Sequence, residues 1–215
     1  RHFASEWDRG AFVECLDIPL NDYRYITAAL TIAEALETEK EKITAIMNIV
    51  NRTDPGPGGF YDNFGSKESW NRLENHDNYQ KDPGFFKTPL LSFLMPSPHD
   101  WEDKLNVPLA WRQNVYTLYQ TPLFINYDGL DSEADYVIRT VYAKYHSIYI
   151  SLFGGENGDI PIHDEMFVNE PFVEAENPLP KAAYADGNLR LKLTVRDGGR
   201  GPNISEIFIK RVVID

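Results

Sequence analysis

From residue 113 onward, runs rich in β-branched and aromatic residues recur at roughly ten-residue spacing, most of them closed by a turn signal. Gln113–Tyr119 is followed by Pro122–Tyr127 and the turn pair Asp128-Gly129. Tyr136–Tyr145 alternates Val137, Arg139, Val141, Ala143 and Tyr145 with Tyr136, Ile138, Thr140 and Tyr142. Ser147–Phe153 is closed by Gly154-Gly155, and Ile160–Val168 and Pro171–Ala175 are further short strands. Leu189–Val195 sets Leu189, Leu191, Leu193 and Val195 against Arg190, Lys192, Thr194 and Arg196. That period of two with one polar face belongs to an antiparallel sheet with one side in water. Ile204–Val213 closes the series. Many short strands at this spacing predict a mainly β fold, an antiparallel β-sandwich of the jelly-roll type, over residues 55–215.

The first 54 residues read differently. Tyr23, Ile26, Leu30 and Ala33 recur at spacings of three and four, one face of a helix entered at Asn21 or Asp22. Thr38 and Glu41 form a capping box for a second helix with apolar positions Ile43, Ile46, Met47 and Val50. Asp54-Pro55-Gly56-Pro57-Gly58-Gly59 ends it. A hairpin of two short helices depends on tertiary packing. Residues 1–54 are therefore expected to dock on the sandwich, or to be the tail of a domain further upstream. Between the hairpin and the first clear strand, residues 55–112 are dense in Gly, Pro, Asn and Asp, and are expected to form short strands and a long ordered loop region.

Composition narrows the function classes. The formal charge of -12 argues against nucleic acid and against an anionic membrane surface, both of which need clustered Lys and Arg. No apolar run approaches the ~18 residues of a membrane span, so no membrane insertion is expected. With a single cysteine, Cys15, no internal disulfide is available. Arg1 in place of an initiator Met suggests a piece of a longer, processed protein.

Catalytic signatures are weak. The five histidines show neither H-E-x-x-H nor zinc-ligand spacing, and no G-x-S-x-G elbow is present. Gly56-Pro57-Gly58-Gly59 lacks the Lys-Ser/Thr of a phosphate loop. A carboxylate pair for glycoside hydrolysis has candidates in Asp62, Asp100, Glu102, Asp164 and Glu165, but no spacing selects two of them. No cofactor is expected beyond a candidate structural calcium, for which the acidic loop Asp131–Asp135 offers oxygens. Aromatics are the unusual component, at 13% with 12 Tyr, 12 Phe and 4 Trp, and ring faces bind sugars by stacking. Three clusters join a ring to planar polar groups: Phe60–Phe64, Trp70-Asn71-Arg72 and His99-Asp100-Trp101. They nominate Tyr61, Asp62, Trp70, Arg72, His99, Asp100 and Trp101 as carbohydrate-binding residues. The competing reading is that these rings fill the core or pin the long loop.

The closing pattern Ala185-Asp-Gly-Asn-Leu-Arg-Leu-Lys-Leu193, then Gly201-Pro-Asn-Ile-Ser-Glu-Ile-Phe-Ile209, resembles the last strands of galactose-binding-like and malectin-like jelly rolls. Tyr136–Tyr142 is similar to an inner strand of such modules. Asn51–Gly65, with Asp54-Pro-Gly-Pro-Gly-Gly-Phe-Tyr-Asp62, looks like a segment near the C-terminus of large secreted bacterial proteins linked to polysaccharide breakdown. The jelly-roll resemblance covers about 100 C-terminal residues and implies a β-sandwich that binds carbohydrate as a non-catalytic, extracytoplasmic accessory of a glycan-acting protein. An upstream catalytic domain of the same chain, such as a glycoside hydrolase, would be its partner. The alternative it implies is a purely structural C-terminal domain with no ligand of its own.

Overall fold

Strand β5 (Tyr136–Ala143) shows how the alternation is used. In the computed structural model, which describes residues 22–77, 80–93, 105–144, 147–196 and 200–212, Tyr136, Ile138, Thr140 and Tyr142 are buried. Val137 and Arg139, facing the other way, are half-buried. The same logic runs through β4 (Leu123–Asp128), β6 (Ile148–Gly154) and β9 (Asn188–Val195), whose alternate residues Leu123, Ile125, Ile148, Ile150, Leu152, Leu189, Leu191 and Leu193 enter one core.

The described residues fall into two compact units. One contains helices α1 (Tyr23–Glu34) and α2 (Glu39–Val50) and the short α3 (Leu109–Arg112). The Thr38 capping box forms as expected, with Glu41 N donating to Thr38 Oγ1 at 3.2 Å and Thr38 N donating to Glu41 Oε2 at 3.0 Å. Asp22 does not cap α1 with its side chain; its carboxylate instead accepts from Leu109 N at 2.6 Å, at the start of α3. Thr38→Ala removes one half of the reciprocal cap and is expected to cost about 0.5–2 kcal/mol of local helix stability. Faster hydrogen exchange in the first turn of α2 is the check.

The second unit holds the sheets. One is ordered β1 (Phe60–Asn63), β11 (Glu206–Arg211), β5, β8 (Phe172–Leu179), and a second is ordered β4, β9, β6, β7 (Ile160–Val168). A three-stranded sheet joins β10 (Arg200–Ile204), β3 (Gln113–Leu118) and β2 (Leu90–Phe93). All pairings are antiparallel. From β4 to β9 the chain passes between the two four-stranded sheets at every step except the β6–β7 hairpin, and returns to the first sheet at β11. That winding is a jelly roll, with both inner faces contributing to one core.

Two strand ends differ from the sequence reading. β8 continues through Pro178 to Leu179, because it lies at the end of its sheet, where a residue without an N–H is tolerated. The last strand is two: β10 pairs with β3 and β11 with β5, and Ser205 joins them by donating to Val141 O at 2.8 Å and accepting from Phe64 N at 2.9 Å.

The Tyr142 hydroxyl, buried on β5, meets His163 Nε2 on β7 at 2.7 Å, and His163 Nδ1 lies 2.8 Å from Asp164 O. A carbonyl can only accept, so Nδ1 carries the proton and Nε2 accepts from the tyrosine. Burial holds the imidazole below its ordinary range. A depressed histidine contributes stability that is complete above the unfolded pKa, near 6.5, and is lost as pH falls through that value toward the folded one. The unfolding free energy from urea titration is expected to drop between pH 7.5 and 5, with a slope of at most ~1.4 kcal/mol per pH unit. His163→Gln, which keeps an acceptor for Tyr142, is expected to flatten that slope.

Candidate functional site: a polar groove on strands β4 and β9

Cross-strand register builds the site. On β4 and β9, Asn126 stands opposite Arg190, Tyr127 opposite Leu189 and Asp128 opposite Asn188. Tyr127 and Leu189 point into the core, so the alternating Asn126–Arg190 and Asp128–Asn188 pairs form a polar strip on the outer face. After the 3-10 helix Lys67–Arg72, Leu73 bridges to Ile125 and Glu74 N donates to Phe124 O at 3.1 Å. This lays Glu74 beside the strip.

Arg190 is the hub. Its Nε and Nη2 hold the two Glu74 oxygens at 2.7 and 3.1 Å, and Nη1 donates to Glu156 O at 3.1 Å. The guanidinium lies 3.9 Å from the Phe124 ring centroid, a cation–π contact. These bonds use three of its five N–H groups. Hydrogen bonding to Arg190 holds the Glu74 carboxyl below its usual range, and the same bonds raise Arg190. Asn126 Nδ2 donates to Glu74 Oε1 at 3.2 Å. At the strip's end, Asn188 donates through N and Nδ2 to Asp186, each at 3.0 Å, and so lowers the Asp186 carboxyl. Gly187, at φ 83°, makes the tight turn into β9 without a side-chain penalty.

Two adjoining cavities share Asn126, Asn188 and Arg190. One, of about 330 Å³, is closed by Asn71, Arg72 and Asp128; the other, of about 480 Å³, by Glu156, Ala183 and Asp186. The walls present amide, carboxylate and guanidinium groups. Such a surface hydrogen-bonds a polyhydroxylated ligand without requiring net charge on it.

Of the residues nominated from sequence, Arg72 lies at this groove. Its Nη1 reaches Asp128 at 3.1 Å, its Nε is 3.8 Å from Asp62, and its guanidinium lies over the Tyr127 ring at 5.0 Å. Asp62 is buried beneath it, and burial pushes its carboxyl up while Arg72, Ser69 and Tyr127 oppose the rise. Tyr61 and Asp62, adjacent on β1, point to opposite faces, so the structure separates them. Tyr61 stacks on Phe208, with centroids 4.6 Å apart, and donates to Glu206 at 2.6 Å. Trp70 packs against the core and donates from Nε1 to Phe64 O at 2.9 Å. Both rings are tied into packing. His99, Asp100 and Trp101 lie outside the described residues.

Sequence reasoning passed over Glu74, Asn126, Asn188 and Arg190. The polar alternation of β9 marked Arg190 as water-facing, but its partners Glu74 and Glu156 are 116 and 34 positions away. In the proposed calcium loop, Asp131 pairs with Arg211 at 2.8 Å and Asp135 with Lys181 at 3.3 Å. Among the described residues, no group of three or more His, Cys, Asp or Glu side chains is gathered as for a metal ion. No helix among them is long and apolar enough to cross a membrane.

No family model and no curated protein matches the chain. Among solved structures it is similar to the ectodomain of ANX2 from Arabidopsis thaliana, at 9% identity and a TM-score of 0.52. That match covers 72% of this chain and 42% of the other, so the chain spans less than half of that ectodomain. What they share is the fold. A family 35 carbohydrate-binding module from Clostridium thermocellum matches at 12% identity and a TM-score of 0.33, over 58% of this chain and 92% of that one. The C-terminal family 6 module of a marine laminarinase from Zobellia galactanivorans matches at 17% and 0.33, over 56% and 90%.

Proposed function

We propose that the sandwich is a non-catalytic carbohydrate-binding module, and that the groove on β4 and β9 receives a neutral sugar. The observation that carries this reading is the convergence of Asn126, Asn188 and Arg190 on two adjoining cavities, with Arg190 held rigidly by a bidentate carboxylate and an aromatic face. Planar amides and a fixed guanidinium recognise vicinal hydroxyls through paired hydrogen bonds. Glu74 and Asp128 neutralise Arg190 and Arg72 locally, and Asp186 and Glu156 add negative charge, which disfavours uronate or sulfated glycans. In this reading the module serves an extracytoplasmic glycan-acting protein, and a catalytic domain elsewhere in that protein supplies the chemistry.

Affinity electrophoresis of the purified chain through gels containing β-glucan, xylan, galactan, mannan or polygalacturonate tests the reading. Retardation by a neutral polysaccharide, weakened in Asn188→Ala, is the expected result; migration unchanged in every gel would sink it. A second reading, a bracing domain with no ligand, is favoured by the packing of Tyr61 and Trp70, and unchanged migration would support it.

A further inference from the structure

We infer that a second ligand site lies at the other end of β4, where the Phe86–Tyr119 ring stack forms a platform for the C–H face of a pyranose ring. The two centroids are 4.9 Å apart with the planes inclined by 29°. Phe85 is 37% exposed, and Phe86 and Tyr119 are each 58% exposed. Phe86 stacks against one face of Tyr119. Tyr119 lies before β4, whereas the groove residues Asn126 and Asp128 stand three and five residues past the start of that strand, a rise of roughly 10–17 Å. The platform is therefore separate from the groove.

Several features hold these rings in the open. Phe85, Tyr119 and Gln120 have φ of 53°, 57° and 60°, the left-handed region that bulky residues avoid. Such conformations persist where their surroundings over-determine them. Here the Asp82 carboxylate accepts from Phe86 N at 3.1 Å, Lys87 N at 2.8 Å, Thr88 N at 2.9 Å and Thr88 Oγ1 at 3.0 Å. The Thr121 hydroxyl donates to the Phe86 carbonyl, and the Thr117 hydroxyl donates to the Thr121 carbonyl. These bonds join the 82–88 loop to the β3–β4 turn. Gly84 makes room for the ring: a Cβ there would stand 2.3 Å from Phe86 Cε2.

Size and charge select the ligand. The two stacked residues expose on the order of 200 Å², well short of the ~800 Å² per partner in a stable protein interface. A second copy is further disfavoured by a charge of -12 on each chain. A sugar ring matches the area, and its C–H groups meet an aromatic face favourably.

The test uses the full chain in the same polysaccharide gels, comparing Tyr119→Gly, Phe86→Ala and Arg190→Ala. Tyr119→Gly removes the ring and relieves the left-handed backbone, so thermal stability is expected to hold. Loss of the stack is expected to weaken retention about 2- to 10-fold, and to multiply the effect of Arg190→Ala in the double variant, since the sites are far apart. Retention by Tyr119→Gly and Phe86→Ala equal to that of the unaltered chain overturns the platform, and so does a chain that no polysaccharide retards. Weakening in Tyr119→Gly with none in Arg190→Ala upholds the platform while removing the groove. Self-association on size exclusion that Tyr119→Gly abolishes, without glycan retention, makes the patch an interface between copies and overturns the sugar assignment.

Discussion

Arg190→Ala is expected to weaken retention by a neutral polysaccharide about 10- to 100-fold, since each hydrogen bond from a charged donor contributes about 1.5–3 kcal/mol. The guanidinium borders both cavities and has two N–H groups left after Glu74 and Glu156 are satisfied. Truncation also releases Glu74 and uncovers Phe124. Both partners of the ion pair keep about a third of their side-chain exposure, so water compensates part of the loss. A stability cost of about 1–2 kcal/mol is expected in urea titration. Arg190→Lys separates charge from geometry. A lysine restores the cation but not the fork, so it should recover stability better than retention. Titration supplies an independent check. Glu74 is depressed by Arg190, so its contribution is present above the unfolded value near 4.5 and lost as pH falls through the folded one. Retention is therefore expected to be level between pH 8 and 6 and to decline in acid.

Phe208→Ala is expected to cost about 3–5 kcal/mol, enough to threaten folding of a domain of ordinary stability. The ring is fully buried on β11, and its register neighbours are Tyr61 on β1 and Arg139 on β5. Tyr61 stacks on one side and the Arg139 guanidinium lies 3.9 Å from the centroid. Deleting the ring opens a cavity and strands both neighbours. Phe208→Leu keeps most of the volume and should cost under about 1.5 kcal/mol if neighbours repack. Denaturant midpoints for the pair report whether the cost is volume or stacking. A loss for Phe208→Ala below ~1 kcal/mol would contradict this account of the outer face.

The jelly roll was legible because its signal is local. The alternation in Tyr136–Tyr142 and Leu189–Val195 is a property of consecutive residues, and so is the Thr38–Glu41 box, which the structure reproduces in the expected form. Reading errors arose where a local signal has two tertiary meanings. Pro178 ends a central strand but is tolerated at an edge, and only the sheet order decides which applies. Ile204–Val213 reads as one strand, yet Ile204 ends β10, which pairs with β3, and the chain after Ser205 starts β11, which pairs with β5.

The nominated site shows the same division more sharply. Tyr61 and Trp70 are rings beside polar residues in the sequence, but proximity in sequence does not set the direction of a side chain. On β1 the pleat sends Tyr61 to Phe208 and Asp62 toward Arg72. Trp70 turns inward because its indole N–H finds Phe64 O. Arg72 reaches the groove because the 3-10 helix ends beside β4. The chain alone determined that strands would form, which of their residues share a face, and where the helices begin. Tertiary structure decided which polar face gathers partners. Glu74, Asn126 and Arg190 meet through hydrogen bonds that depend on ångström-scale register between distant segments, and no local period encodes that register.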